Sequence, residues 1–182
     1  MKYNLLLLYS GGYDSTLLLK MALEMGYSPL CLLFNYGQVH VEELIYAIDM
    51  CEKLNQDYRV VDIKEALSVH SKLTDGEGKY VGVSQWHVPS RNLIFLSIAS
   101  SIAESEGIRL IWYGANYEDR EKLFPDCYQE WVFRLNELLA INGSIPIKVE
   151  APLLGMSKDT IKLLARHFGI EEDKVFSGYG SR

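Results

Sequence analysis

Short apolar runs alternate with amphipathic segments along the chain. The most apolar run is the four leucines Leu5–Leu8, and such runs are typical of strands buried on both faces of a parallel sheet. In the next segment Leu17, Leu18, Met21 and Met25 recur at helical spacing, which indicates a helix packed on that sheet. Repeated alternation of this kind predicts a parallel α/β sheet with right-handed crossovers.

The pattern predicts five strands and five helices. The strands are expected at residues 3–9, 29–35, 58–63, 109–113 and 147–150. The helices are expected at residues 14–25, 39–54, 89–106, 126–141 and 157–168. Residues 68–87 and 116–125 are polar and are predicted to be loops. We therefore expect one Rossmann-like α/β domain over residues 1–182, with a parallel sheet of about five strands flanked by helices.

The leucines are interrupted by SGGYDST, residues 10–16, where the first strand meets the first helix. Glycines allow backbone N–H groups to approach a ligand closely, and a helix start adds free N–H groups and a partial positive charge. The segment therefore predicts a phosphate site. The alternative is a tight turn with Asp14 or Ser15 as the N-cap residue. The kinase-type P-loop is excluded because no GxxxxGK[ST] string occurs.

Polar residues also lie next to the later strands. Ligands of parallel sheets bind beyond the carboxyl ends of the strands, so these residues are expected at one edge. Arg91 and Lys158 stand near predicted helix starts, where a cation is unfavourable unless an anion is bound, and Ser157 is a predicted N-cap residue. The alternatives are a solvated Arg91, His40 as a helix cap, and Asp126 as an N-cap residue.

Composition narrows the class of protein. The 182 residues are 48% apolar and 23% charged with a net charge of −6, which argues against a nucleic-acid-binding surface. No apolar run approaches the ~20 residues of a membrane span, and no secretory leader is recognised. The cysteines are isolated, which indicates a reducing compartment. We expect a cytoplasmic protein that binds neither nucleic acid nor membrane.

Six motifs occur in an order that resembles the 7-cyano-7-deazaguanine (preQ0) synthase family of the PP-loop ATP pyrophosphatases. They are SGGYDS at 10–15, FNYGQVHVEEL at 34–44, VPSRN at 88–92, GANYED at 114–119, FPDC at 124–127 and APLLGMSK at 151–158. The resemblance covers nearly the whole chain, and the set is far more specific than any single motif. It implies an adenine nucleotide alpha hydrolase-like fold and a homodimer, to which the aromatic-rich stretch 128–133 contributes.

The resemblance also implies the reaction. ATP and Mg²⁺ activate the carboxylate of 7-carboxy-7-deazaguanine as an acyl adenylate, and ammonia converts this to the amide. A second activation by ATP dehydrates the amide to the nitrile, 7-cyano-7-deazaguanine. Charge develops on the leaving pyrophosphate, which loop N–H groups and Mg²⁺ stabilise.

Residue roles follow from the same motifs. The resemblance implies catalytic roles for Ser10, Asp14, Ser15, Arg91 and Lys158. It implies that ATP is bound by Ser10, Gly11, Gly12, Tyr13, Asp14, Ser15, Thr16, Phe34, Tyr36, Gln38, His40, Arg91, Asn92, Gly114 and Lys158. It implies that the deazaguanine pocket is formed by Asn116, Asp119, Pro125, Asp126 and Cys127. An acid there accepts hydrogen bonds from guanine-like N–H groups, and Cys127 is expected to be a pocket wall because its thiolate is disfavoured beside Asp126.

The sequence departs from the family at two places. Members usually end in a zinc-binding cysteine cluster entered through a W-S-C-Y-like string, whereas residues 175–182 read VFSGYGSR. Three isolated cysteines cannot build a four-sulfur site, so zinc is not expected and no metal ligands are assigned. Residues 120–124, REKLF, are charged where the family tends to be Tyr/Gly-like.

These departures leave alternatives for the function. One is a relative that stops at the amide or adenylates another carboxylate, as in phage DNA modification or bacterial defence. Another is a non-catalytic nucleotide-binding module, although the intact polar motif residues argue against it. A tRNA sulfur-transferase of the same superfamily would need a catalytic cysteine pair and a basic RNA surface, and the sequence contains neither.

Overall fold

The computed structural model describes residues 2–67, 74, 88–118 and 124–171. Five parallel strands form one sheet in the order β3-β2-β1-β4-β5. The strands are β1 Leu5–Leu8, β2 Pro29–Asn35, β3 Tyr58–Asp62, β4 Leu110–Trp112 and β5 Lys148–Glu150. The predicted parallel α/β architecture is confirmed. The central position of β1 places the loop that follows it between the ends of β2 and β4.

Five helices alternate with the strands in the described part of the chain. They are α1 Tyr13–Glu24, α2 Glu42–Lys53, α3 Arg91–Glu106, α4 Gln129–Asn142 and α5 Lys158–His167. Short 3-10 helices span Lys64–Leu67 and Pro125–Cys127. The predicted loop at 68–87 lies outside the described residues except for Thr74. None of the described helices has the length and apolar composition needed to cross a membrane.

Three predicted helix starts are wrong by two or three residues. The helix expected from residue 39 is α2, which begins at Glu42. Ser90 adopts a left-handed backbone with φ of 56°, so α3 begins at Arg91 and not at Pro89. Asp126 lies in a 3-10 helix, and Tyr128 is extended with φ of −102° and ψ of 138°. The extended residue separates the 3-10 helix from α4, so Asp126 is not its N-cap residue. Ser157 caps α5 as predicted, because its side chain accepts the Thr160 N–H at 3.3 Å.

The four leucines of β1 are all buried because helices cover both faces of the sheet. Leu5 and Leu7 join the apolar cluster that includes residues of α1, α2 and α5. Leu6 and Leu8 join the opposite cluster, which includes residues of α3 and α4. Successive side chains of a strand point to opposite faces, so an uninterrupted leucine run supplies both cores.

Candidate functional site

The loop between β1 and α1 is held in shape by its two serines. Ser15 Oγ donates to the Gly12 carbonyl at 2.9 Å and accepts the Ser10 N–H at 3.3 Å. The Ser10 and Ser15 hydroxyls lie 3.1 Å apart, and the Gly12 N–H donates to Ser10 Oγ at 3.3 Å. These bonds organise the loop before any ligand arrives, which lowers the cost of binding.

Gly11 lies in close contact with α2. Its φ is +75°, and a Cβ built there would be 2.9 Å from Ala47 Cβ and 3.0 Å from Ala47 Cα. An L-residue with a side chain rarely adopts this φ, and no side chain fits in that space. Both the backbone conformation and the packing therefore require glycine at this position.

The start of α1 faces the loop without a side-chain cap. Gly12 is the N-cap residue, and no side chain of the described residues caps it. The interpretation of Asp14 or Ser15 as N-cap residues is therefore wrong. Thr16 is buried beneath the loop, where its Oγ1 lies 3.3 Å from Tyr9 Oη and 3.5 Å from the Gly11 carbonyl. The partial positive charge of the helix start is thus directed at the loop.

Asp14 joins three segments that are far apart in the sequence. Its Oδ2 accepts hydrogen bonds from Lys158 Nζ at 2.7 Å and from Asn116 Nδ2 at 2.8 Å. Its other oxygen, Oδ1, is buried and has no hydrogen-bond partner among the described residues. A buried carboxylate oxygen without a donor is costly, so this atom is suited to bind a cation that arrives with a ligand.

Asn116 and Glu118 extend this network from the end of β4 to α5. Asn116 is fully buried, and its Oδ1 accepts the Glu118 N–H at 3.1 Å. Glu118 Oε1 accepts the Lys158 N–H at 2.6 Å. Gly114 packs on the start of α1, since a Cβ there would be 3.8 Å from Asp14 Cβ. Asn116, which the family resemblance assigns to the substrate pocket, therefore bonds Asp14 at the start of α1.

The side chains of Phe34 and Gln38 at the end of β2 make contacts within the protein. Gln38 is buried, its Oε1 accepts the Tyr36 N–H at 3.0 Å, and its Nε2 donates to the Phe34 carbonyl at 3.2 Å. The Phe34 ring is stacked on Phe95 with centroids 4.0 Å apart. Both residues were expected to bind ATP, and the structure places both side chains in the turn and core that support Tyr36.

Arg91 lies against Tyr36 at the start of α3. Its Nη1 donates to Tyr36 Oη at 3.3 Å, and its guanidinium carbon is 5.6 Å from the centroid of the Tyr36 ring. The tyrosine ring is packed on Phe95 with centroids 5.5 Å apart. Hydrogen bonding and the cation–π attraction orient Arg91 toward the carboxyl edge of the sheet.

Glu43 on α2 is an acidic neighbour of this arginine. Burial raises the pKa of the Glu43 carboxyl above its ordinary value of 4.5, while the charges of His40 and Arg91 oppose that shift. His40 itself is exposed, and α2 begins after Val41 without a side-chain cap in the described chain. The interpretation of His40 as a helix cap is therefore wrong.

A second polar group lies where α3 meets the 3-10 helix Pro125–Cys127. Asn92 Nδ2 donates to Asp126 Oδ2 at 2.5 Å, and the Cys127 sulfur is 4.0 Å from the same oxygen. Tyr113 Oη donates to the Asp126 carbonyl at 2.6 Å, and burial, with the Asp126 charge, raises the pKa of Tyr113. Cys127 is buried.

The remaining predicted site residues are Pro125, Tyr13 and Asp119. Pro125 is exposed. Tyr13 lines a cavity of about 410 Å³ with Lys162 and Arg166 of α5. Asp119 lies outside the described residues. The described residues contain no cluster of three His, Cys, Asp or Glu side chains suited to a metal ion.

Sequence reasoning missed Glu43 and Glu118. Glu43 had a signal, because it is the second glutamate of the motif FNYGQVHVEEL at residues 34–44. Glu118 had none, because its partner is a backbone N–H group 40 positions away. The geometry as a whole gathers backbone donors, two cations and a carboxylate at the carboxyl edge of the sheet, groups whose chemistry suits a phosphate chain and a cation.

A family model and curated relatives similar to this chain point to the same family. The model of the family described as queuosine biosynthesis protein QueC matches residues 4–182. A 7-cyano-7-deazaguanine synthase of Psychromonas ingrahamii is 32% identical over 100% of this chain and 86% of that protein. The synthase of Marinobacter nauticus is 34% identical over 98% and 84%. That of Chromohalobacter salexigens is 36% identical over 94% and 72%.

Solved structures share the architecture. The U34-tRNA thiolase NcsA from Methanococcus maripaludis aligns with a TM-score of 0.62 at 19% identity, covering 98% of this chain and 60% of that chain. The predicted subunit of tRNA methyltransferase from Methanocaldococcus jannaschii aligns with a TM-score of 0.62 at 21% identity, covering 89% and 73%. At these identities the likeness shows a common Rossmann-like α/β fold.

Proposed function

The chain belongs to the family of the queuosine biosynthesis protein QueC, and from that membership we propose that it is an ATP-dependent ligase that makes 7-cyano-7-deazaguanine. The curated synthases that it resembles align with nearly the whole chain. The observation that carries the proposal is the pair of hydrogen bonds that Lys158 and Asn116 donate to Asp14. Asp14 lies at the start of α1, directly after the loop that follows β1. These residues supply charge and donors where a pyrophosphate would leave.

The proposed reaction has two activations. A carboxylate oxygen of 7-carboxy-7-deazaguanine attacks the α-phosphorus of ATP, and the bond to pyrophosphate breaks. Ammonia attacks the acyl carbon of the adenylate, AMP leaves, and a proton is lost to give the amide. The amide oxygen then attacks a second ATP in the same way. Loss of AMP and of the amide protons leaves the nitrile.

The serine-braced loop would receive the pyrophosphate. Gly11 lets the loop lie close against Ala47 of α2, and the uncapped start of α1 adds its N–H groups and partial charge. The Ser10 and Ser15 hydroxyls, 3.1 Å apart, belong to the same loop. Donors fixed in place before reaction stabilise developing charge without reorganisation.

Mg²⁺ fits the residues present. Asp14 Oδ1 is buried and has no donor within the described structure, and Mg²⁺ is usually held by one or two carboxylates with substrate phosphates and water. When bound, the ion would neutralise charge on the leaving pyrophosphate. Lys158 would contribute a further point charge, and Asp14 would hold that ammonium in place.

The deazapurine would lie near Asn92, Asp126 and Cys127. Asn92 holds Asp126 through a 2.5 Å hydrogen bond, which orients the carboxylate to accept from the N–H groups of a guanine-like edge. Cys127 would form a wall of this pocket. Arg91, on the same helix start as Asn92, would meet phosphate or the substrate carboxylate.

Product analysis tests the proposal. The protein is incubated with ATP, Mg²⁺, ammonium and 7-carboxy-7-deazaguanine, and products are followed by mass spectrometry. We expect the nitrile with AMP and pyrophosphate. Amide without nitrile would support a reaction that stops at the amide. If the acid is not consumed, the assignment of 7-carboxy-7-deazaguanine as the substrate is wrong. The homodimer stays a prediction, which light scattering on the purified protein tests. The single domain over residues 1–182 also stays a prediction.

A further inference from the structure

The Glu118 carboxylate contacts the backbone N–H of Lys158 and not its ammonium group. Its Oε1 accepts the Lys158 N–H at 2.6 Å across 40 positions of sequence. Its own N–H donates to Asn116 Oδ1 at 3.1 Å, and the Asn116 amide donates to Asp14. Glu118 is therefore tied to the phosphate loop on one side and to the start of α5 on the other.

Two backbone donors in the first turn of α5 are occupied. Ser157 accepts the Thr160 N–H, and Glu118 accepts the Lys158 N–H. A carboxylate at this position is favourable because the peptide dipoles of the ten-residue helix α5 place positive charge there. The sequence predicts a phosphate near this helix start. Because the Lys158 N–H is bound to Glu118, a phosphate at this position would meet Lys158 through its ammonium group.

Two carboxylates restrain the two ends of Lys158. Glu118 fixes the backbone N–H, and Asp14 accepts from Nζ at 2.7 Å. A long lysine side chain loses much rotamer freedom when it is ordered, and an anchored backbone reduces the volume that Nζ can explore. The position of the ammonium relative to the loop between β1 and α1 then depends on Glu118.

We propose that Glu118 is a positioning residue that acts through Lys158 in the pyrophosphate-releasing step. This inference rests on the proposed function, because it assigns Lys158 to that step. Glu118 touches neither substrate nor the reacting atoms. It fixes the helix start from which the ammonium group reaches Asp14 and the phosphate loop.

A double-mutant cycle tests whether Glu118 acts through Lys158. ATP–pyrophosphate isotope exchange is measured with Mg²⁺ and 7-carboxy-7-deazaguanine, without ammonia, for wild type, Glu118→Ala, Lys158→Ala and the double variant. We expect Glu118→Ala to lower kcat about tenfold or more, since a displacement of about 1 Å can cost a hundredfold. We expect no further loss in the Lys158→Ala background. Independent, multiplicative losses would overturn the proposal.

A conservative variant tests whether the hydrogen bond to the Lys158 N–H is what Glu118 contributes, and the comparison of kcat with melting temperature separates positioning from simple capping. Glu118→Gln retains an oxygen that accepts the Lys158 N–H, so we expect it to restore most of the kcat lost in Glu118→Ala. Lys162→Ala, on the same helix, is the matched control and should leave kcat unchanged. If Glu118→Ala lowers the melting temperature but leaves kcat per folded molecule unchanged, Glu118 is a helix cap and the proposal is wrong.

Binding of inorganic pyrophosphate tests the role of Glu118 independently of the proposed substrate. The same four proteins are titrated with Mg²⁺-pyrophosphate by calorimetry, which needs no deazapurine. Weaker binding in both single variants, without further loss in the double variant, supports the role of Glu118 even if the acid is not a substrate. Unchanged binding in Glu118→Ala, or no binding by wild type, would overturn it.

Discussion

Lys158 Nζ on α5 donates a 2.7 Å hydrogen bond to Asp14 Oδ2 on α1, although 144 positions separate the two residues in the sequence. The pair is partly solvated, with 37% of the Lys158 side chain and 18% of the Asp14 side chain exposed. Exposed ion pairs contribute about 0–1 kcal/mol to folding. The contact therefore matters more for the placement of charge beside the loop between β1 and α1 than for the stability of the fold.

Replacement of Lys158 should affect catalysis far more than folding. We expect Lys158→Ala to lower the rate of ATP–pyrophosphate exchange about 10²–10³-fold, the range for loss of one group that stabilises a transition state. The free energy of unfolding, measured in urea, should change by about 1 kcal/mol or less. A variant that exchanges pyrophosphate at the wild-type rate would exclude Lys158 from the site. Lys162→Ala is the control for loss of a lysine on α5.

Gly11→Ala should destabilise the protein more than Gly26→Ala. Both glycines have positive φ, +75° and +80°, but only Gly11 has Ala47 where the new Cβ would lie. Gly26→Ala carries the backbone penalty alone, about 1 kcal/mol. Gly11→Ala adds overpacking, typically about 1–3 kcal/mol. Urea unfolding of both variants measures the difference, and equal losses would contradict the close contact between the loop and α2.

Ser90→Gly should stabilise the protein. Ser90 is exposed and has φ of 56°, a conformation that costs a residue with a Cβ about 1 kcal/mol and glycine almost nothing. The greater freedom of glycine in the unfolded chain offsets part of this, so a net gain of about 0.5 kcal/mol is expected. The control is Asn55→Gly, also exposed with φ of 50°, where asparagine already tolerates the conformation. A loss of stability in Ser90→Gly alone would indicate that the Ser90 side chain makes a favourable contact.

Glu43→Gln should stabilise the protein at neutral pH and not in acid. Burial raises the pKa of Glu43 above 4.5, so the folded state binds more protons than the unfolded state between the ordinary and the raised values. Stability therefore falls as the pH rises through that interval. Glutamine does not titrate and removes the decline.

The measurement for Glu43 is the urea midpoint from pH 4 to pH 8. The exposed neighbour Glu42→Gln is the control, because it also removes a negative charge from the first turn of α2. We expect the midpoint of Glu43→Gln to exceed that of wild type increasingly above pH 4.5. A difference that is constant across the pH range would show that burial of the Glu43 charge is not the cause.

Features governed by local periodicity were predictable from the sequence. The run Leu5–Leu8 predicted a strand buried on both faces, and the structure divides these leucines between two cores. Ser157 was predicted to cap α5 because capping depends on residues only three positions apart. The start of α4 was not predictable, since the extended residue Tyr128 leaves no mark in a helical pattern.

Contacts between distant segments could not be predicted residue by residue. Family resemblance brought Asp14 and Lys158 to one site but did not predict that they bond each other. Asn116 was expected to contact substrate, yet it bonds Asp14 across 102 positions. Gln38 was expected to contact ATP, and its amide instead completes the turn after β2. Motifs identify which residues matter, whereas packing decides whether each holds a ligand or holds another residue.

The central position of β1 has a consequence for synthesis on the ribosome. Its two neighbours in the sheet are β2, made next, and β4, made much later. Lys158 follows Asp14 by 144 positions, which at about 5–20 residues per second is a delay of roughly 7–30 s. Throughout that interval the nascent chain carries Asp14 without the ammonium group that bonds it in the folded protein. Under the proposed function, ATP would meet Asp14 and Lys158 together only after α5 has emerged.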